Sequence, residues 1–282
     1  MKRNPAKKNG SSILLLLFLL IGLSLLLYPK LSDYWNSLHQ SKAIANYSEK
    51  VAELDEDACA EFLTAARAYN QELARNGISY TLSEEKLAEY NALLDVEGKG
   101  IMGYIEIPSI KVFYPIYHGT SGAVLDVAVG HLEWTSLPVG GESTHCAVSA
   151  HTDLDGARLF TDVKDLTIGD IFMLQVLDEV LTYEVDQIRI VQPRETELLQ
   201  IVPGEDYCTL VTCTTSTGLI AHSTGRLLVR GHRIPNIEEA KVVRVTANAV
   251  QIEPLIIAPL LAVPILLILL IILMLPKKRR RI

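Results

Sequence analysis

Two long apolar segments, one near each end of the chain, constrain its architecture most, because each approaches the length that crosses a bilayer. The first is Ile13–Leu27, which follows four basic residues and precedes Tyr28 and Pro29 rather than a small-residue cleavage site. The second is Leu255–Leu275, interrupted only by two prolines and followed by five consecutive basic residues. We expect a transmembrane helix at each end. A removable signal peptide is the alternative for the first segment, and an uncleaved signal anchor is favoured.

The basic residues beside both segments predict the orientation, because such residues stay on the cytoplasmic side of a membrane. We therefore expect a two-pass protein of the cell membrane, whose globular part is extracytoplasmic. The predicted order is a cytoplasmic basic tail (1–12), a signal anchor (13–28), a helical arm (29–98), a β domain (99–235), a linker (236–254), a transmembrane helix (255–275) and a second basic tail (276–282).

The net charge of the part between the two apolar segments limits the kinds of ligand that it can bind. Nine of the 26 Lys and Arg residues lie in the two tails, whereas all 33 Asp and Glu residues lie between them. The resulting charge of about −16 argues against nucleic acid and anionic polymers as ligands, and it is compatible with a basic partner. Solubility is the alternative explanation of this acidity.

The pattern of apolar residues changes once in this part, near residues 95–100. Before this point, Ala, Glu, Lys and Leu recur at three- and four-residue spacing, which predicts helices. After it, short β-branched runs alternate with Gly and Pro turns, which predicts a mostly β domain, closed as a barrel. The candidate strands are Met102–Ile107, Val112–Tyr117, His145–His151, Ile171–Leu177, Leu181–Val191, Tyr207–Cys213 and Arg226–Arg230.

Cys213 is the candidate nucleophile. Side chains alternate along the strand that it ends, so Cys208 and Cys213 face opposite sides and cannot pair with each other. A loop rich in Thr, Ser and Gly follows Cys213, so a substrate can reach its sulfur.

Two further residues are candidate partners of this thiol. If the loop after Cys213 is a hairpin connection, Arg226 lies across from Cys213, whereas Arg230 is about 13 Å further along the strand. A solvated edge charge is the alternative interpretation of Arg226. Among the seven histidines, His151 stands out because it ends a buried-looking strand before a polar turn. The absence of Cys-x-x-Cys or His-x-x-x-His spacing disfavours a zinc site.

Several segments together resemble a known family. The segments are IMGYIEIPSI (101–110), AVGHLEWTSLPVGGESTH (128–145), SAHTDLDGARLFTDV (149–163), TLVTC (209–213) and RLLVRGHRI (226–234). They are similar to sortases, and more narrowly to the class C, pilus-polymerising sortases of Gram-positive bacteria. The resemblance implies a closed eight-stranded β-barrel with Cys213 and His151 at the ends of adjacent parallel strands. It also implies that Cys213 is the nucleophile, His151 the general acid and base, and Arg226 the residue that orients the substrate and stabilises the oxyanion.

The resemblance further implies a reaction. The substrate would be the LPXTG-type sorting signal of a pilin or cell-wall surface protein, cleaved between Thr and Gly. A thioester on Cys213 would then pass to a lysine amine of the next pilin subunit, and no cofactor would be needed. In the register that the resemblance implies, Cys146 and Cys208 face each other away from the catalytic pair. Buried free thiols are favoured there over a disulfide.

Two departures from the family pattern set further expectations. The loop after Cys213 is longer than usual in class C and lacks a Pro-aromatic pair, which leaves the acceptor open. The arm has no Asp-Pro dipeptide, and the stretch that corresponds to the lid, ARNGISYTLSEE (74–85), offers only Tyr80 as an aromatic plug. Because Gly77, Ser79 and Thr81 offer no anchor, we expect a mobile connection and an open or loosely covered site.

Two other classes of function remain open at this point. A Cys/His cell-wall hydrolase would release its product to water instead of to an amine. A non-catalytic, membrane-tethered binding module would carry Cys213 as an ordinary strand thiol.

Overall fold

The computed structural model describes residues 9–152, 159–215 and 224–236. Three helices come first, and eight strands follow, as the change of pattern near residue 95 predicts. The helices are α1 (Asn9–Glu53), α2 (Glu56–Asn76) and α3 (Glu84–Ala92), with a one-turn α4 (Gly122–Leu125) inside the β domain. The strands are β1 (Ile101–Ile107), β2 (Val112–His118), β3 (Val129–His131), β4 (Thr144–Ser149), β5 (Ile171–Val176), β6 (Glu179–Val191), β7 (Asp206–Thr215) and β8 (Thr224–Ile234).

The eight strands close into a barrel in the order β1-β2-β3-β4-β7-β8-β6-β5. The pairs β2–β3 and β4–β7 are parallel, and the other pairs are antiparallel. Alternate residues point inward, so that Ile105, Val148, Leu174 and Leu210 are fully buried in the central core. The predicted closed eight-stranded β-barrel and the parallel neighbours β4 and β7 are confirmed.

Each of the predicted strands differs from the observed one at one or both ends, and two differences bear on the site. β4 ends at Ser149 rather than His151, although the Ala150 N–H still donates to the Val211 carbonyl at 3.3 Å. β3 was not predicted, because three residues with a central glycine give no alternation to detect.

The helical arm packs tightly against the barrel. Buried Asn70 of α2 bonds both backbone groups of Leu137, with its Nδ2 3.0 Å from the carbonyl and its Oδ1 2.7 Å from the N–H. Tyr47 of α1 is also buried, and its hydroxyl donates to the Met102 carbonyl at 3.0 Å. Buried side chains that satisfy backbone groups of the barrel make the arm part of the folded domain.

Among the helices within the described ranges, none is long and apolar enough to span a membrane. The predicted second span, residues 255–275, and the basic tail after it lie outside the described residues. Membrane anchoring at either end stays a prediction.

Candidate active site

The parallel pair β4–β7 sets the positions of the candidate histidine and cysteine. Its register pairs Ser149 with Val211, and continued by two residues it brings His151 beside Cys213. Two hydrogen bonds between side chains and backbone groups fix the two segments in this register. The Thr212 hydroxyl donates to the Ala150 carbonyl at 2.9 Å, and the Thr152 hydroxyl donates to the Cys213 carbonyl at 3.0 Å. The two candidate residues therefore lie side by side, His151 just after β4 and Cys213 near the end of β7.

The antiparallel pair β7–β8 sets the position of the candidate arginine. Arg226 is the direct partner of Cys213 in the register, and its Nη1 donates to the Cys213 Sγ at 3.0 Å. A guanidinium is charged at every physiological pH, and its remaining N–H groups can bind an oxygen on the carbon that the sulfur attacks.

Arg230, the other arginine considered in the sequence analysis, has a structural role. Its Nε and Nη2 lie 2.9 and 2.8 Å from the two carboxylate oxygens of Asp186, and its guanidinium covers the Tyr207 ring at 4.0 Å. This bidentate ion pair raises the pKa of Arg230 and holds it away from Cys213.

The His151 ring is one-third exposed, and its Nε2 lies 3.9 Å from Oδ1 of Asp126. Asp126 caps the C-terminal end of α4, just before β3, and β3 pairs with β4. The site is thus a row of four side chains: Asp126, His151, Cys213 and Arg226. Asp126 was not predicted, because only the β3–β4 pairing brings it beside His151.

An apolar surface adjoins this row on the outer face of the barrel. Val211 lies two residues before Cys213 on the same strand face, and Leu228 lies two residues after Arg226. We call this cluster the apolar wall, and its members are Leu132, Trp134, Ala147, Val191, Leu198, Leu199, Val211 and Leu228. Most of its members are buried, and Trp134, Val191 and Leu198 are the partly buried ones that solvent reaches.

Tyr80 anchors the connection between α2 and α3 to the edge of this wall. Its ring contacts the Trp134 ring edge-on, with centroids 5.0 Å apart. Its hydroxyl accepts bonds from Thr196 Oγ1 at 2.8 Å and from Gln200 Nε2 at 2.6 Å. The expectation that this connection has no anchor is therefore wrong. It overlooked Trp134, Thr196 and Gln200, which the fold brings from distant parts of the sequence.

Two other histidines near the site are structural. His145 is buried, and its Nδ1 lies 2.9 Å from the Gln200 carbonyl and its Nε2 2.7 Å from the Thr209 hydroxyl. Burial lowers the pKa of His145 to about 4, so its ring is neutral near pH 7. His131 is likewise buried, and its Nδ1 lies 2.9 Å from the Tyr90 hydroxyl.

Cys146 and Cys208 occupy paired positions on β4 and β7, inside the barrel and on the side opposite Cys213. Both are buried free thiols in the structure, as favoured from the sequence. Burial raises the pKa of Cys208 well above its ordinary value, which keeps this thiol unreactive.

Over the part of the chain that the structure describes, no group of three or more His, Cys, Asp or Glu side chains could hold a metal ion. The chemistry available at the site is that of a thiol, an imidazole, a carboxylate and a guanidinium.

The chain is similar to several proteins of known family and structure. The family model of the sortase domain matches residues 105–234. The crystal structure of sortase C1 from Streptococcus agalactiae is 45% identical, with a TM-score of 0.66, and the match covers 69% of this chain and 99% of that one. Sortase C from Clostridium perfringens, solved with the C-terminal cell wall sorting motif, is 40% identical, with a TM-score of 0.59, over 69% of this chain and 98% of that one. Sortase A from Streptococcus agalactiae is 25% identical over 226 residues, which cover 75% of this chain and 83% of that protein.

Proposed function

This chain belongs to the sortase family of cysteine transpeptidases, and from that premise we propose that it polymerises pili. In this proposal the enzyme cleaves an LPXTG-type sorting signal between Thr and Gly and joins the new carboxyl end to a lysine amine of a pilin. Two observations support the choice: several of its structural relatives are C-type sortases, and the Clostridium perfringens relative was solved with a sorting motif. The contact that carries the mechanism is the 3.0 Å approach of Arg226 Nη1 to Cys213 Sγ.

The first half-reaction forms the thioester. The Cys213 sulfur attacks the threonine carbonyl carbon, and the oxygen gains negative charge beside the Arg226 guanidinium, which donates hydrogen bonds to it. His151, protonated, gives its proton to the nitrogen of the leaving glycine, and the C–N bond breaks. The products are an acyl-enzyme and a peptide that begins with glycine.

The second half-reaction returns the acyl group to an amine. His151, now neutral, accepts a proton from the incoming lysine amine while its nitrogen bonds the thioester carbon. The C–S bond then breaks, and the sulfur leaves as the thiolate. One amide is exchanged for another through the thioester, which is why the residues of the site suffice without a nucleotide.

The apolar wall is the proposed binding surface for the Leu-Pro end of the sorting signal. It lies on the strand face of Cys213 and Arg226, so an extended peptide on the wall leads directly to the thiol. Tyr80 covers its Trp134 edge, so the α2–α3 connection competes with the peptide for this surface.

We propose that the enzyme works at the outer face of the cell membrane as a two-pass protein. The apolar segments 13–27 and 255–275, each flanked by basic residues, support this location.

The test is incubation of the full chain, in detergent micelles, with a sorting-signal peptide and a lysine donor. We expect an amide between the threonine carboxyl group and the lysine amine, together with the released glycine peptide. Hydrolysis alone at saturating donor would identify a cell-wall hydrolase instead, and no cleavage of any sorting signal would leave a binding module.

A further inference from the structure

We propose that Asp126 is the positioning residue for the acceptor: its carboxylate binds the ammonium group of the incoming lysine beside His151. This inference rests on the proposed function, because it requires an amine acceptor. It adds a specificity-determining residue at the His151 end of the site.

The geometry places a reachable carboxylate at that end. Asp126 Oδ1 lies 3.9 Å from His151 Nε2, and the Asp126 side chain is 61% exposed. Its backbone is held, because the Asp126 N–H donates to the carbonyls of Gly122 and Val124. A held and exposed carboxylate next to the proton-transfer group can bind a cation from solvent.

The charges of the site explain why an amine would enter on this side. Arg226 lies on one side of Cys213 and His151 on the other, since β7 runs between β8 and β4. With the acyl oxygen turned toward the Arg226 guanidinium, the nucleophile has to approach the thioester carbon from the His151 side. Asp126 flanks that approach, and its negative charge attracts a lysine there while Arg226 repels one on the opposite side.

The proton balance gives the carboxylate a defined task. A lysine amine has an ordinary pKa of about 10.4, so it arrives as an ammonium ion. It must lose one proton before attack and a second as the amide forms; the first passes through His151 to solvent, and the second stays on His151 while the Cys213 sulfur leaves as the thiolate. Asp126 takes part in neither transfer. It raises the local concentration of the ammonium form beside the base that deprotonates it, which lowers the KM for the donor.

The expected effect is modest, because an exposed ion pair is screened by water and salt. We expect Asp126→Asn to raise the KM for a lysine donor by about three- to tenfold at low ionic strength. Asp126→Lys should raise it further, because it replaces attraction by repulsion. The difference from the unmodified enzyme should shrink as salt is added.

The experiment uses the full chain and two nucleophiles that differ in charge. Hydroxylamine is uncharged at neutral pH and captures the same thioester as a hydroxamate, so it reports every step except ammonium binding. Glu142→Gln is the matched control. Glu142 is also exposed, but it lies just before the start of β4, at the end of the strand opposite His151. We predict a raised KM for lysine and an unchanged KM for hydroxylamine in the Asp126 variants, and no change for either nucleophile in the control.

Two results would overturn the inference. An equal loss with lysine and hydroxylamine would show that Asp126 acts through His151 or through the fold. An unchanged KM for both nucleophiles would show that it binds no acceptor. Failure of the proposed function is seen separately, in the unmodified enzyme: hydroxamate would form while lysine gave no amide, and the role of Asp126 as a lysine guide would fall with it.

Discussion

Arg226 and Cys213 occupy directly paired positions on β8 and β7, and the guanidinium Nη1 lies 3.0 Å from the thiol Sγ. The hairpin pairing itself brings them together, so their approach depends on strand register rather than on a loop. A one-residue slip of β8 would turn Arg226 to the other face of the sheet.

Catalysis should need the several N–H groups of the Arg226 guanidinium as well as its charge. One N–H contacts the sulfur, and others are needed to bind the acyl oxygen. We expect Arg226→Lys to lower kcat/KM for the sorting peptide by about 10²-fold, and Arg226→Ala by about 10³-fold. Steady-state kinetics with a fluorogenic sorting peptide measures both. Arg230→Lys is the control, since Arg230 binds Asp186, and it should cost stability more than turnover. A fully active Arg226→Lys would show that charge alone suffices.

Cys213 should be dispensable for folding and indispensable for chemistry. The free energy of unfolding of Cys213→Ala is expected to lie within about 1 kcal/mol of that of the unmodified protein, since this partly buried thiol lies outside the central core. This variant should give no transpeptidation product. Cys146→Ala is the control with the opposite expectation, because that thiol is buried in the barrel and takes no part in the reaction. The variant should be less stable and remain active. Turnover by Cys213→Ala would remove this residue from the mechanism.

The mostly β domain and the pairing of Cys213 with Arg226 were predictable, because both rest on local patterns. The alternation of side chains along TLVTC predicts the face of the sheet on which Cys213 lies. The hairpin between β7 and β8 predicts Arg226 as the residue opposite Cys213. The family resemblance supplied the rest, namely the parallel pairing that sets His151 beside Cys213.

The residues missed from the sequence are those that depend on contacts between distant segments. Asp126 approaches His151 only through the β3–β4 pairing, and β3 is three residues long. Tyr80 looked unanchored because its partners, Thr196 and Gln200, lie more than a hundred residues away. Neither spacing nor periodicity carries such information.

Tyr80 should compete with substrate for the apolar wall. Tyr80→Ala removes two hydrogen bonds and an aromatic contact that hold the α2–α3 connection, each worth about 1 kcal/mol. The site would then be open for a larger fraction of the time, and the KM for the sorting peptide should fall by about five- to thirtyfold.

Tyr80→Phe separates the two kinds of contact, because it keeps the ring on Trp134 and loses only the hydroxyl bonds. It should give an intermediate KM. A KM that is unchanged or raised in Tyr80→Ala would show that the ring does not obstruct the peptide, and a raised KM would make it part of the binding surface.

Acid should destabilise the barrel through His145. Its pKa is lowered by burial to about 4 in the folded protein, against an ordinary value of about 6.5, so the unfolded chain binds a proton that the folded chain does not. The full stability is therefore present above pH 6.5, and about 3 kcal/mol is lost as the pH falls from 6.5 to 4.

Urea unfolding across this pH range tests the point with His145→Gln, which can keep both hydrogen bonds and does not titrate. The slope of stability against pH should become shallower in this variant, and His118, whose pKa is also lowered by burial, should account for part of what remains. His39→Gln, the same substitution at an exposed site on α1, is the control. An identical slope in His145→Gln would refute the assignment.

The most direct test of the central claim is intact-protein mass spectrometry of the acyl-enzyme. The full chain is mixed with a sorting-signal peptide, quenched in acid, and then digested to locate the adduct. The account predicts a thioester on Cys213 that carries the peptide up to threonine, and its transfer to a lysine donor as an amide when the donor is added before quenching. An adduct on any other residue, or an acyl-enzyme that yields only the free acid at saturating lysine, would contradict it.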